Sequence, residues 1–341
     1  MSSAPAAPRS YRLPDLLAVC PFKARFNVHF EEAVSGAQER LIDRNVLKGN
    51  QLEVLKQCNG ELLCAWTHHY AGLQQLHTVC DFVNLLFVLD TITDEQNGPD
   101  ALATGMQFLN TLKDDSYEDG SVLCQMTKDF KRRFFPYSGP ATARRFLEHS
   151  ENYVLGFARE AELREQGVVL DRATYEPYRR ENSGTRYAFG TFGYVLGMDL
   201  PDEIFEHPVY MEMHYAAVDM VCWSNDLYSY DMEQAMGPLH LGNNILTVLQ
   251  REEGIDLQAA SDRVGEHFSE LVDLFNDAKA RLPCFGKELD EITANHVMAM
   301  EAWVAGNLEW SFATRRYFGK NNVKVRESLV VELSPLKVQT E

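Results

Sequence analysis

The chain has 341 residues, 45% of them hydrophobic, and its 32 Lys and Arg against 50 Asp and Glu leave a formal net charge of −18. This length can bury about three-quarters of the unfolded surface in one body. The acidic balance, with no segregated basic patch, excludes nucleic acid or an anionic membrane surface as the main partner. No uninterrupted apolar run approaches the roughly 18 to 20 residues of a membrane span, so the chain is expected in the cytoplasm without stable membrane insertion. Seven cysteines without paired zinc spacing read as reduced, mostly buried thiols.

In chain order, Met1 to Ser10 is rich in Ala, Pro and Ser and reads as a disordered leader. Flexible ends are expected at about 1–15 and 325–341. From about Leu62 to Thr93 the sequence is more apolar than a surface helix should be, which predicts a central helix with a break near Gly72. Turn signals follow at Asn97-Gly98-Pro99, Ser138-Gly139-Pro140, Leu200-Pro201-Asp202, Gly237-Pro238, Gly254 and Leu282-Pro283. Between Asp256 and Leu282 the apolar residues Leu257, Ala260, Val264, Phe268, Leu271, Phe275, Ala278 and Leu282 recur in steps of three and four, one buried helical face. No alternating run suggests a sheet. The pattern predicts one all-α domain over residues 1–341.

Four segments carry chemistry. Asn225, Ser229 and Glu233 stand at i, i+4 and i+8, so an amide oxygen, a hydroxyl and a carboxylate rise along one helix face. All three are hard oxygen donors of the kind that suits Mg²⁺, and Ala216, Val221, Cys222 and Trp223 make the helix otherwise apolar. Asp90 and Asp94, one turn apart, end an apolar helix at its C-terminus, where the macrodipole disfavours carboxylates and a cation would offset that cost. Arg179-Arg180 precede a break at Gly184, and Arg315-Arg316-Tyr317 follow Trp310. Arginine grips phosphate in bidentate fashion, and two such pairs in a strongly acidic chain point to a specific anion. His68-His69 and His77 lack a metal-like partner set, and Phe87, Phe189, Phe192, Tyr194, Trp223, Trp303 and Trp310 read as core or cavity wall.

In this order and spacing the segments resemble the class I terpene synthases, most closely the fungal, basidiomycete-type sesquiterpene synthases, over about residues 15–320. The resemblance implies a helical bundle around a central cavity, and three Mg²⁺ ions held by Asp90, Asp94, Asn225, Ser229 and Glu233. It implies that Arg180, Arg316 and Tyr317 bind the diphosphate of farnesyl diphosphate. The glycine four residues on favours Arg180 over Arg179. Phe87 and Trp310 would line the substrate cavity, and the Gly184 carbonyl would face the carbocation as a dipole. The family's aspartate motif usually carries a second acid where this chain has Thr91, and a Lys often stands where it has Met232. A chain-elongating prenyl synthase would share the fold but carry a second aspartate-rich motif in place of Asn225, Ser229 and Glu233. An acidic helical scaffold would explain the charge but not the buried oxygen donors. Nothing in the pattern specifies an oligomeric state.

Overall fold

Helix boundaries fall where side chains satisfy the free backbone ends. In the structure, a computed structural model describing residues 10–34 and 44–335, Asn97 caps the Gly98–Lys113 helix by accepting from Asp100 N–H at 2.9 Å. Asp256 does the same for Leu257–Arg281 through Ala259 N–H. Gly139 precedes Pro140–Gln166, and Gly254 closes Ile245–Glu253 in the left-handed region at φ 68°. The predicted apolar face of Leu257–Arg281 is buried from Leu257 to Ala278. The expected central helix is divided. Gly60–Thr67 and Leu73–Thr93 are separate helices, with Gly72 at the start of the second, and Asn27 holds the turn by donating to the carbonyls of His68 and Ala71 at 2.7 and 2.9 Å.

Leu73–Thr93 is long and apolar enough to cross a membrane by length and composition, a feature not apparent from uninterrupted apolar runs, because polar residues such as Asn84 are dispersed along it. Its middle packs into the bundle, where Phe82 meets Phe130, Phe146 and Tyr187 at ring-centre distances of 4.8–5.3 Å. Pro208–Met236 packs along Leu257–Arg281, and Lys287–Ala313 crosses Gly60–Thr67. At that crossing Gly306 lets the backbones touch: a Cβ there would stand 2.6 Å from the carbonyl atoms of Trp66. The helices Leu73–Thr93, Pro140–Gln166, Arg172–Asn182, Pro208–Met236 and Lys287–Ala313 thereby surround one cavity.

The ends differ from expectation. Residues 1–9 and 336–341 lie outside the described residues, but Ser10–Arg12 and Val330–Glu332 pair as an antiparallel two-stranded sheet, Tyr11 opposite Val331. Residues 322–328 form a further helix. Three-residue strands are too short to show a periodicity in sequence, and their pairing joins positions more than 300 residues apart.

Candidate active site

Asn225, Ser229 and Glu233 all line the cavity, on the one face of Pro208–Met236 that their spacing predicts. Asn225 accepts from Arg179 Nη2 at 2.9 Å and donates to the Tyr317 hydroxyl at 2.7 Å. Glu233 accepts from Asn244 Nδ2 at 2.9 Å. Burial, reinforced by the nearby Asp226, pushes the Glu233 carboxyl up to about 7. Across the cavity stand Asp90 and Asp94. Burial and then the charges of Asp90 and Glu160 hold Asp94 well above the usual carboxylate range. Thr91, where a second acid was missing, donates its hydroxyl to Phe87 O at 2.7 Å and faces its own helix.

This crowding of carboxyls is the test of whether the residues fit a metal. Glu233, Asp94 and Glu160 are all shifted towards the protonated form. Asp90, Asp94 and Glu160 repel one another on one side, and Asn225, Ser229 and Glu233 supply hard oxygen donors on the other, charges and donors that a divalent cation would satisfy. The donor set fits a divalent cation.

Of the two adjacent arginines, the one facing the cavity is Arg179. Its guanidinium reaches Asn225 and pairs with the fully buried Asp226 at 2.8 Å. Arg180, expected to face the diphosphate, does not line the cavity: it makes a bidentate pair with Asp219 at 2.7 and 2.6 Å and lies over the Tyr215 ring. Adjacent helical residues differ by about 100° in direction, and here that offset carries Arg180 to Asp219 while Arg179 lines the cavity. The Gly184 carbonyl also departs from expectation, because it accepts from Ala188 N–H at 2.8 Å inside the next helix. Gly184 itself lines the cavity, with φ 71° marking the break.

Arg316 and Tyr317 close the opposite side. Arg316 donates to Cys58 Sγ at 2.6 Å, pairs with Asp90 at 3.3 Å and lies 5.2 Å over the Phe87 ring. Burial pushes the Cys58 thiol up against the opposing pull of Arg316. Phe87 stacks on Trp310 at 6.1 Å, and the Trp310 indole N–H is taken by the carbonyl of Cys58 at 3.0 Å. Trp303 completes the inner wall and donates to His68 Nε2 at 3.3 Å. Burial pushes His68 down to about 3, so it is neutral. Phe189, Phe192, Tyr194 and Trp223 are core rather than cavity wall.

Two charged residues here carried no sequence signal. Glu160 and Arg164, one turn apart on Pro140–Gln166, both line the cavity. Asn182 donates to Glu160 at 2.6 Å. Arg164 donates to the Thr93 and Gln96 carbonyls at 3.1 and 3.0 Å, placing a cation at the helix end that carries Asp90 and Asp94. Asp226 was visible only as Asn225's neighbour, and its task of holding Arg179 needs the tertiary contact.

A charged rim of oxygen donors and guanidiniums therefore meets an aromatic, apolar wall inside one cavity. The description "Terpene synthase family 2, C-terminal metal binding" matches residues 81–273. The chain is 42% identical to bifunctional terpene synthase Agr4 of Cyclocybe aegerita, covering 97% of this chain and 95% of that protein. It is 41% identical to a Coprinopsis cinerea protein named linoleate 10R-lipoxygenase COP4, with 97% and 95% covered. Sesquiterpene synthase Agr1 of Cyclocybe aegerita is 34% identical over 95% of this chain and 93% of its own. Germacradien-4-ol synthase from Streptomyces citricolor shares the fold, with a TM-score of 0.75 at 19% identity, covering 85% of this chain and 96% of that one. Sequence and fold agree: the chain belongs to terpene synthase family 2 and is a class I terpene cyclase.

Proposed function

We propose that the enzyme is a sesquiterpene synthase that ionises farnesyl diphosphate and folds the resulting cation into a hydrocarbon or alcohol. The observation that carries the reading is the junction of the charged rim with the wall of Phe87, Trp303 and Trp310 in a single cavity. An anionic head and an apolar tail need both halves. Three Mg²⁺ ions, held by Asp90 with Asp94 beside it and by Asn225, Ser229 and Glu233, would supply the charge that makes diphosphate a leaving group. Arg179, Arg316 and Tyr317 are the cavity's own donors for its oxygens. Two of them rest on oxygens of the same site, Arg179 on Asn225 and Arg316 on Asp90, so an arriving anion meets guanidiniums already placed. Met232, in place of a lysine, offers no further contact.

The carbon–oxygen bond breaks heterolytically, the electron pair leaves with diphosphate, and the allyl cation remains against the wall. Both indole N–H groups there are engaged, Trp310 by Cys58 and Trp303 by His68, so the rings offer π faces. Each face is worth about 1–2 kcal/mol to a desolvated cation. His68 is neutral and adds no opposing charge. The farnesyl substrate is supported by the name of the Agr1 relative and by the Asn225, Ser229 and Glu233 set in place of a second aspartate-rich motif. A lipoxygenase reading finds no comparable support, since the cavity's donors are hard oxygens and His240 is its one lining imidazole among the described residues.

The test is incubation with farnesyl diphosphate and Mg²⁺ alone. Expected are diphosphate in the aqueous layer, a sesquiterpene by gas chromatography with mass spectrometry, and a loss of at least about a hundredfold in Asp90→Asn. A requirement for isopentenyl diphosphate would indicate chain elongation instead, and no diphosphate release would refute the reading.

A further inference from the structure

The two ends of the chain meet behind the site. Tyr11, in the strand Ser10–Arg12, is buried and donates its hydroxyl to Leu227 O at 3.1 Å. Its neighbour Arg12 is held by Gln258 and Ser261 of the adjoining Leu257–Arg281 helix. Past the partner strand, Ser334 donates its backbone N–H and hydroxyl to the two carboxylate oxygens of Asp231, at 2.6 and 2.8 Å. Gln234 Nε2 donates to Ser334 O at 2.6 Å.

Helix geometry gives these contacts their meaning. At about 100° per residue, Leu227, Asp231 and Gln234 lie roughly 180–240° around Pro208–Met236 from Asn225, whereas Asn225, Ser229 and Glu233 span roughly 0–80°. The chain ends therefore grip the helix on the side opposite its cavity face. The grip falls on the last turns, where Glu233 sits four residues before the Gly237 cap. A helix C-terminus is where backbone pairing frays and where the macrodipole disfavours carboxylates, and both Asp231 and Glu233 stand there. Asn244 holds Glu233 from the front; Ser334 holds Asp231 from behind.

We propose that Asp231 and Ser334 are positioning residues, a latch that keeps the last turn of Pro208–Met236 wound so that Glu233 stays in register with Asn225 and Ser229 for a divalent cation. The inference rests on the metal-site reading of that face. Neither residue touches the cavity, so the latch acts through the backbone alone.

The test titrates Mg²⁺ in the presence of inorganic diphosphate and follows the melting midpoint of wild type, Asp231→Asn, Ser334→Ala and Glu233→Gln. Hydrogen exchange of residues 231–236 is read in the metal-free proteins. Asp231→Asn keeps the side chain's shape but loses the charged acceptor, and should raise the half-effective Mg²⁺ concentration about tenfold. Ser334→Ala, which keeps the backbone donor, should raise it less. In both, exchange at 231–236 should quicken, and diphosphate release from farnesyl diphosphate should recover at high Mg²⁺. If Asp231→Asn lowers the metal-free melting midpoint but leaves the half-effective Mg²⁺ unchanged, the residue is only structural and the latch is overturned. If wild type shows no Mg²⁺ response, or Glu233→Gln responds like wild type, the metal-site reading falls and the latch with it.

Discussion

Arg179 and Arg180 are the same residue type side by side, yet their surroundings divide them. Arg179 faces the cavity from a buried pair with Asp226, and Arg180 is spent on Asp219 outside it. Arg179→Ala should lower diphosphate release by about a hundredfold or more. Arg180→Ala should leave turnover within about threefold and instead lower the melting midpoint, since it strips a partner from the largely buried Asp219. Steady-state kinetics beside thermal melts separates the two. Glu233 gives a pH signature. Its folded-state value of about 7 lies above the ordinary 4.5, so its protonated form favours folding. That contribution is complete below about pH 4.5 and is lost as pH rises through about 7. In chelator at pH 8, Glu233→Gln should therefore be more stable than wild type, by of order 1–2 kcal/mol, and the gain should vanish towards pH 4.5. Thermal unfolding at the two pH values checks it.

At the scale of elements, the cavity wall depends on how closely two helices cross. Gly306 sits against backbone atoms of Trp66 and Thr67 at 2.6–2.8 Å from where a Cβ would stand, and backbone cannot swing aside as a flexible side chain can. Gly306→Ala should force Lys287–Ala313 away from Gly60–Thr67 at a cost of about 1–3 kcal/mol. Trp303 and Trp310 lie three and four residues to either side, so their rings should shift with the helix. The expected outcome is a lowered melting midpoint together with a changed product distribution, read by gas chromatography with mass spectrometry. An unchanged profile in a destabilised variant would detach this crossing from the shape of the cavity.

Across the whole molecule, the site joins helices far apart in sequence, and its charges should bind them more tightly when neutralised. The short helix His240–Asn243 follows the Gly237 cap, and Asn244 beyond it touches Glu233. The loop with Arg316 and Tyr317 reaches Asp90 and Asn225 from the far side. Carboxyls that share a cleft repel one another, and divalent ions with diphosphate would reverse that balance. Hydrogen exchange should slow at about 237–245 and 312–320 only when Mg²⁺ and diphosphate are both present, and much less in Glu233→Gln. Equal protection from either ligand alone would break the coupling.

The sequence by itself determined the helical class, the helix ends at its turn signals such as Asn97, Gly254 and Asp256, and the Asn225, Ser229 and Glu233 face, because these depend on local spacing, capping and turn chemistry. It also carried the motif order from Asp90 to Tyr317 that links the chain to its family. Tertiary structure alone decided which of two adjacent arginines faces the cavity, because the positions of Asp226 and Asp219 on the neighbouring helix settle it. The entry of Glu160 and Arg164 into the site has no local signature, being set by the packing of Pro140–Gln166. The pairing of the chain's two ends behind the face of Asn225, Ser229 and Glu233 is likewise a contact across more than 300 residues, invisible to any pattern read along the chain.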